Sequence, residues 1–186
     1  LVPLLERRIV RAPRILDFGC GTGGTSVALA LSRLLPEQVI GVDAGAPAVE
    51  AAAVRAAGYG LPTTRIQFVH VDAGEPLSFG AESFDLVIAV SVVEFITDAQ
   101  RRRATVSMLR DVVRPGGHLF IATPRPGLRE FHSGRFLGDL RHSPGQPWAS
   151  APGELAAWAE GWARVPLPIR DRWFTRWQRL FARKPS

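Results

Sequence analysis

The sequence predicts an α/β fold, a mostly parallel sheet covered by helices on both faces. Three observations carry that prediction. Short apolar runs alternate with helical stretches of about a dozen residues. A glycine run, Gly19-Cys20-Gly21-Thr22-Gly23-Gly24, joins the first apolar run to the first helix. Asp17 with the glycines, then Asp43, Asp72 and Ser91, stand at the ends of successive apolar runs. Right-handed crossovers bring such positions to one edge of the sheet, where ligands of these folds bind.

Taken in order, residues 3–12 predict one helical turn or an arm leading into the first strand, residues 14–18. Residues 23–35 predict a helix with Val27, Leu31, Leu34 and Leu35 along one side, stopped by Pro36. Residues 38–43 form an apolar strand closing on Asp43. Residues 47–57, rich in alanine with a proline near the start, form a helix that Gly58 can cap. Residues 65–71 and 84–90 are the third and fourth strands. A helix with a basic face covers 98–113, and Pro115-Gly116-Gly117 turns the chain into a fifth strand from His118 to Thr123.

At 186 residues the chain predicts one domain with a sizeable core. No apolar run approaches membrane-spanning length, and Arg7, Arg8 and Arg11 interrupt any apolar signal segment, which fits a cytoplasmic location. The chain does not begin with Met, so sequence ahead of Leu1 is an open question. Its one cysteine, Cys20, excludes an intrachain disulfide. The net charge of +6 is uneven: residues 1–124 balance twelve arginines with twelve acids, and residues 125–186 carry eleven cations against five acids. All five tryptophans fall in that second part. The division expected is a cofactor-binding core over 1–124, and a basic, Trp-rich segment over 125–186 that completes the same domain as a substrate or lid region.

The glycine run supports two ligands when read alone. As Gly19-x-Gly21-x-x-Gly24 it matches a dinucleotide fingerprint, with Asp43 near the distance expected for a ribose contact. As Asp17-x-Gly19-x-Gly21-x-Gly23 it resembles motif I of the class I S-adenosylmethionine-dependent methyltransferases. An acid at position 17 would repel a pyrophosphate but suits a ligand carrying an ammonium and a sulfonium. Phe68-Val69-His70-Val71-Asp72-Ala73 resembles that family's adenine-recognition segment. Ser83-Phe84-Asp85-Leu86-Val87 followed by Ser91-Val92-Val93-Glu94 resembles its fourth strand and following loop. Leu109 and Pro115-Gly116-Gly117-His118-Leu119 resemble the turn before its fifth strand. The resemblance spans residues 14–124.

It implies a Rossmann-like fold with S-adenosyl-L-methionine as cofactor; apart from the resemblance, no cluster in the sequence has metal-ligand spacing. The backbone of Gly19, Gly21 and Gly23 would border the methionine part and ribose, and Asp17 would orient the loop and help hold the amino-acid portion. Asp43 would accept from the ribose hydroxyls, Asp72 from the adenine amino group, and the Ala73 N–H would serve a ring nitrogen. Ser91 and Val92 would line the methionine end. Each acid also has a plainer use as a helix cap or turn residue. Asp85 is expected to be structural, and Cys20 and Thr22 to fill the loop.

Methyl transfer from a sulfonium needs alignment and exclusion of water more than acid–base help. His132, after the fifth strand, is the candidate general base; a lone loop histidine also serves as an ordinary hydrogen-bonding residue. His142 and Glu94 are further candidates. The end of the chain departs from the family, which normally finishes with two more strands, the last antiparallel. Residues 163–167 and 179–183 are candidates for them, although Pro166 and Pro168 weaken the first. Residues 153–162 read as a helix with Leu155, Trp158, Ala159 and Trp162 at helical spacing. Residues 170–182 also fit a helix, with Trp173, Phe174, Trp177, Leu180 and Phe181 in a stripe flanked by arginines. Such a helix would pack on the sheet, act as a lid, or make a peripheral membrane contact through 170–183. Arginines spread along the whole chain argue against a nucleic-acid stripe.

The function expected is methyl transfer to a small-molecule acceptor. A nicotinamide-dependent oxidoreductase and a catalytically inactive partner module of the same fold are the alternatives.

Overall fold

The computed structural model describes residues 1–9, 13–124, 154–167 and 177–186. A short helix α1 (Val2–Leu5) precedes β1 (Arg14–Phe18), α2 (Gly24–Ala30), β2 (Gln38–Asp43), α3 (Ala46–Gly58) and β3 (Ile66–His70). Then come β4 (Phe84–Val90), a 3-10 turn over Val93–Phe95, α4 (Ala99–Asp111) and β5 (Val113–Pro124). The described remainder holds α5 (Glu154–Ala157), β6 (Ala163–Arg164) and β7 (Trp177–Arg183).

The strands form one sheet in the order β3-β2-β1-β4-β5-β7-β6. The five strands from β3 to β5 are parallel, while β7 runs antiparallel to both β5 and β6. Period-two alternation sends successive strand residues to opposite faces. On one face Leu16, Val42, Val87, Leu119 and Leu180 pack with Val106 and Leu109 of α4 and with Trp158 beyond α5. On the other, Ile15, Val39, Leu86, Phe120 and Phe181 pack with residues of α1, α2 and α3. Strand order reverses direction between β1 and β4, and the switch point opens a crevice at their carboxyl ends.

Four expectations need correction. The first helix stops at Ala30, with Leu31 as its C-cap, instead of running to residue 35. Ser32 bonds the Leu29 carbonyl through its hydroxyl and accepts from the Leu34 N–H, local bonds that compete with the helical ladder. Leu31 and Leu35 are therefore exposed, while Val27 and Leu34 are buried. The helix expected over 153–162 is the short α5, with Leu155, Trp158 and Ala159 buried as its spacing required.

The helix expected over 170–182 is wrong where it can be followed: residues from Trp177 onward are strand. Leu180 and Phe181 lie in the two cores on opposite sides of the sheet, so they cannot share a lipid-facing stripe, and the membrane contact loses that part of its basis. Residues 168–176 lie outside the described residues. The alternative strand at 179–183 is present, while the strand at 163–167 is short, ending before Pro166. Among the described residues no helix is long and apolar enough to cross a membrane.

Candidate active site

The glycine loop is built by three left-handed residues, Gly19, Gly21 and Gly23, at φ +72°, +52° and +76°. Gly19 has a second requirement besides its dihedral. A Cβ there would stand 2.6 Å from Cβ of Val92, the residue that follows β4 and its turn, so the two strand ends could not close on each other. The loop's N–H groups are held from neighbouring elements. Asp43 accepts from the Gly21 N–H at 2.7 Å through one carboxylate oxygen and from the Gly45 N–H at 2.8 Å through the other. Gly45 is the N-cap of α3, so Asp43 ties the start of that helix to the loop. Arg55 donates from α3 to the Thr22 carbonyl at 2.7 Å.

Asp17 lies beneath the loop and takes the Ser26 hydroxyl at 2.5 Å. Burial pushes its pKa up to about 6; the Ser26 bond works against that rise and the nearby Asp43 charge adds to it. The Cys20 thiol is also pushed up, first by burial and then by these two carboxylates, which makes it an inert filler.

Above the loop opens a cleft of about 550 Å³. Of the residues singled out in the sequence, Gly19, Asp43, Asp72, Ala73 and Val92 line it. Asp17, Gly21 and Gly23 support it from behind and do not line it. Ser91, expected at the methionine end, does not line the cleft. It adopts φ +57° and donates its N–H to the Ala122 carbonyl at 3.0 Å, and this left-handed turn swings Val92 toward Gly19 and leaves Ser91 outside. His132 and His142 lie outside the described residues. Asp85 takes the Arg14 N–H at 2.7 Å and pairs with Arg114 at 3.1 Å, far from the glycine loop at the start of β4.

The sequence reading missed the wall opposite the loop, made by Phe95, Ile96, Thr97, Asp98, Arg101 and Met108. Asp98 caps α4 by accepting from the Arg101 N–H at 2.6 Å. Arg102, 3% exposed, points the other way, bonding the Ile96 carbonyl at 2.6 Å and pairing with Glu154 at 3.0 Å. An Asp three residues ahead of Arg101 was a legible cap signal; nothing local marked the arginines themselves. Glu94 is buried beside this wall with its Oε2 unpartnered, and burial pushes its pKa up to about 7.

The charge of the cleft decides between its two ligands. Asp43, Asp72, Glu75 and Asp98 line it with Arg101 as the one basic residue among them. A pyrophosphate would meet four carboxylates, whereas an ammonium and a sulfonium suit such a lining. A family model described as a methyltransferase domain matches residues 15–117, from β1 into the bulged start of β5. The chain belongs to this family. S-Adenosylmethionine is accordingly its cofactor, and the nicotinamide reading is set aside.

Among curated relatives, the chain is 35% identical over 118 residues to a ubiquinone biosynthesis O-methyltransferase of Sinorhizobium medicae, covering 63% of this chain and 44% of that protein. The chain therefore spans less than half the length of that relative. Solved structures share the fold at lower identity. The YcgJ protein of Bacillus subtilis superposes with a TM-score of 0.72 at 21% identity, covering 100% of this chain and 98% of the other. The N-methyltransferase NodS of Bradyrhizobium japonicum, in complex with S-adenosyl-L-homocysteine, gives 0.72 at 19% identity over 98% and 82%.

Proposed function

We propose that this domain transfers a methyl group from S-adenosylmethionine to a hydroxyl oxygen of a small organic acceptor. The observation that carries the cofactor half is the cleft itself, with its four carboxylates, at the sheet's switch point. Oxygen as the accepting atom rests on the curated relative's being an O-methyltransferase.

The roles follow from placement. Each Asp43 oxygen uses one lone pair on a backbone N–H and keeps another for a ribose hydroxyl. Asp72 and the Ala73 N–H stand at the next strand's end for the adenine edge. Asp17 and Ser26 act through the loop, fixing its path without touching the ligand. Val92 packs at Gly19, where the methionine end would lie. The cofactor supplies a methyl carbon already activated on a positively charged sulfur. The protein's part is to hold the acceptor oxygen in line with it and keep water away. The acceptor's proton then leaves to a base or to solvent.

Two measurements test this. Calorimetry should show S-adenosylhomocysteine binding and no binding of a nicotinamide dinucleotide. Incubation with methyl-labelled cofactor and a panel of phenols, catechols and amines should label hydroxylated compounds. Label appearing on amines alone would overturn the choice of oxygen, and absence of cofactor binding would overturn the whole reading.

A further inference from the structure

Arg101 sits in the first turn of α4, where the Asp98 cap fixes its backbone, and it lines the cleft. Its guanidinium donates to the Ala73 carbonyl, not to any of the three carboxylates of Asp72, Glu75 and Asp98 that line the same cleft. The next residue, Gly74, has φ +97°, and a Cβ there would stand 2.6 Å from the Arg101 Cζ and 2.7 Å from its Nε. The space over Gly74 is thus taken by a planar cation from a different element. That cation lies beside the Asp72–Ala73 pair proposed above for the adenine edge.

We propose that Arg101 is a cofactor-binding residue that closes over the nucleobase, its guanidinium lying against the face of the adenine, with Gly74 keeping the space it needs. This rests on the cofactor reading given above. An arginine serves this purpose better than a lysine because its charge is delocalised over a flat group that stacks on a π-face while its N–H groups stay bonded in the plane. The bond to the Ala73 carbonyl supplies such an anchor.

The test compares wild type with Arg101→Ala and Arg101→Lys. Calorimetry gives the affinity for S-adenosylhomocysteine, and competition gives the affinity for adenosine, which carries the nucleobase without the amino-acid part. Arg101→Ala should weaken both ligands by the same factor, roughly three- to tenfold, and Arg101→Lys should recover little of the loss. Arg101 is exposed, so thermal melts of the unliganded variants should match wild type; if one variant fails to fold, the other still decides. Wild-type affinity in Arg101→Ala, full recovery in Arg101→Lys, or a loss for S-adenosylhomocysteine without a loss for adenosine would each overturn the proposal. A wild-type chain that binds neither ligand would instead overturn the cofactor reading beneath it.

Discussion

Asp43 shows how one side chain can hold two elements together and still face a cleft. Its two oxygens hold the glycine loop and the start of α3 while facing the cleft. Asp43→Ala should weaken S-adenosylhomocysteine binding by about 1.5–3 kcal/mol, the scale of lost bonds to a charged acceptor, as read by calorimetry. Unchanged affinity would remove Asp43 from the site. Glu94 gives a pH-dependent counterpart. Its folded pKa of about 7 lies above the ordinary value of 4.5, so the native state binds more protons than the unfolded chain between those values. Stability contributed by the protonated form is full below pH 4.5 and is lost as pH rises through 7. Glu94→Gln should therefore gain on wild type by about 1–3 kcal/mol at pH 8 and show no gain at pH 4, measured by urea denaturation at both. A gain that is equal at the two pH values would show that ionisation of Glu94 is not the cause.

At the scale of elements, the cleft depends on two that must stay pinned. The close approach of the glycine loop to Val92 leaves no space for a side chain at Gly19. Gly19→Ala should cost about 1–3 kcal/mol from its left-handed dihedral alone, and should abolish cofactor binding even where the protein remains folded; calorimetry beside a thermal melt separates the two effects. The opposite wall is pinned by Arg102, whose bonds tie the Ile96 and Thr97 carbonyls to α4 and, through Glu154, to α5. Because the guanidinium is buried, Arg102→Ala leaves Glu154 and two carbonyls without it. A loss of about 3–5 kcal/mol is expected, with the denaturation midpoint as readout; a loss under ~1 kcal/mol, the surface-pair value, would show that the pair is not structural.

For the whole molecule, β7 matters most. Seven residues of β5, His118 to Pro124, pair with β7 from Arg183 back to Trp177, and Leu180 and Phe181 contribute to both cores. A chain ending at residue 176 would leave the edge of β5 away from β4 unpaired and both faces short of apolar cover, so it should aggregate or unfold, as size-exclusion chromatography would show. A monomeric, cooperatively melting truncation would mean that the five parallel strands suffice.

What the sequence determined by itself was the parallel body and the sheet edge where the candidate site lies. Strand runs, the glycines and Asp17, Asp43 and Asp72 follow local rules: period-two apolar patterns, left-handed turns that need glycine, polar residues at strand ends. These depend on near neighbours in the chain, and position alone carries them to one edge once the crossovers share a hand. What the tertiary structure decided was anything depending on distant partners. The residues from Trp177 onward suit a helical stripe as well as an alternating strand, and the open edge of β5, with backbone groups that must be paired, selects the strand. Ser91 and Val92 are adjacent, and a left-handed turn determines which of them meets the cleft. Arg55 looks like a lone surface arginine of an alanine-rich helix, and Arg101 and Arg102 look like ordinary members of a basic helix face, because their partners at Thr22, Ala73 and Glu154 lie some thirty to fifty residues away in the chain. Local chemistry therefore places the candidate cradle, while the packing of helices against it decides which side chains line the cleft.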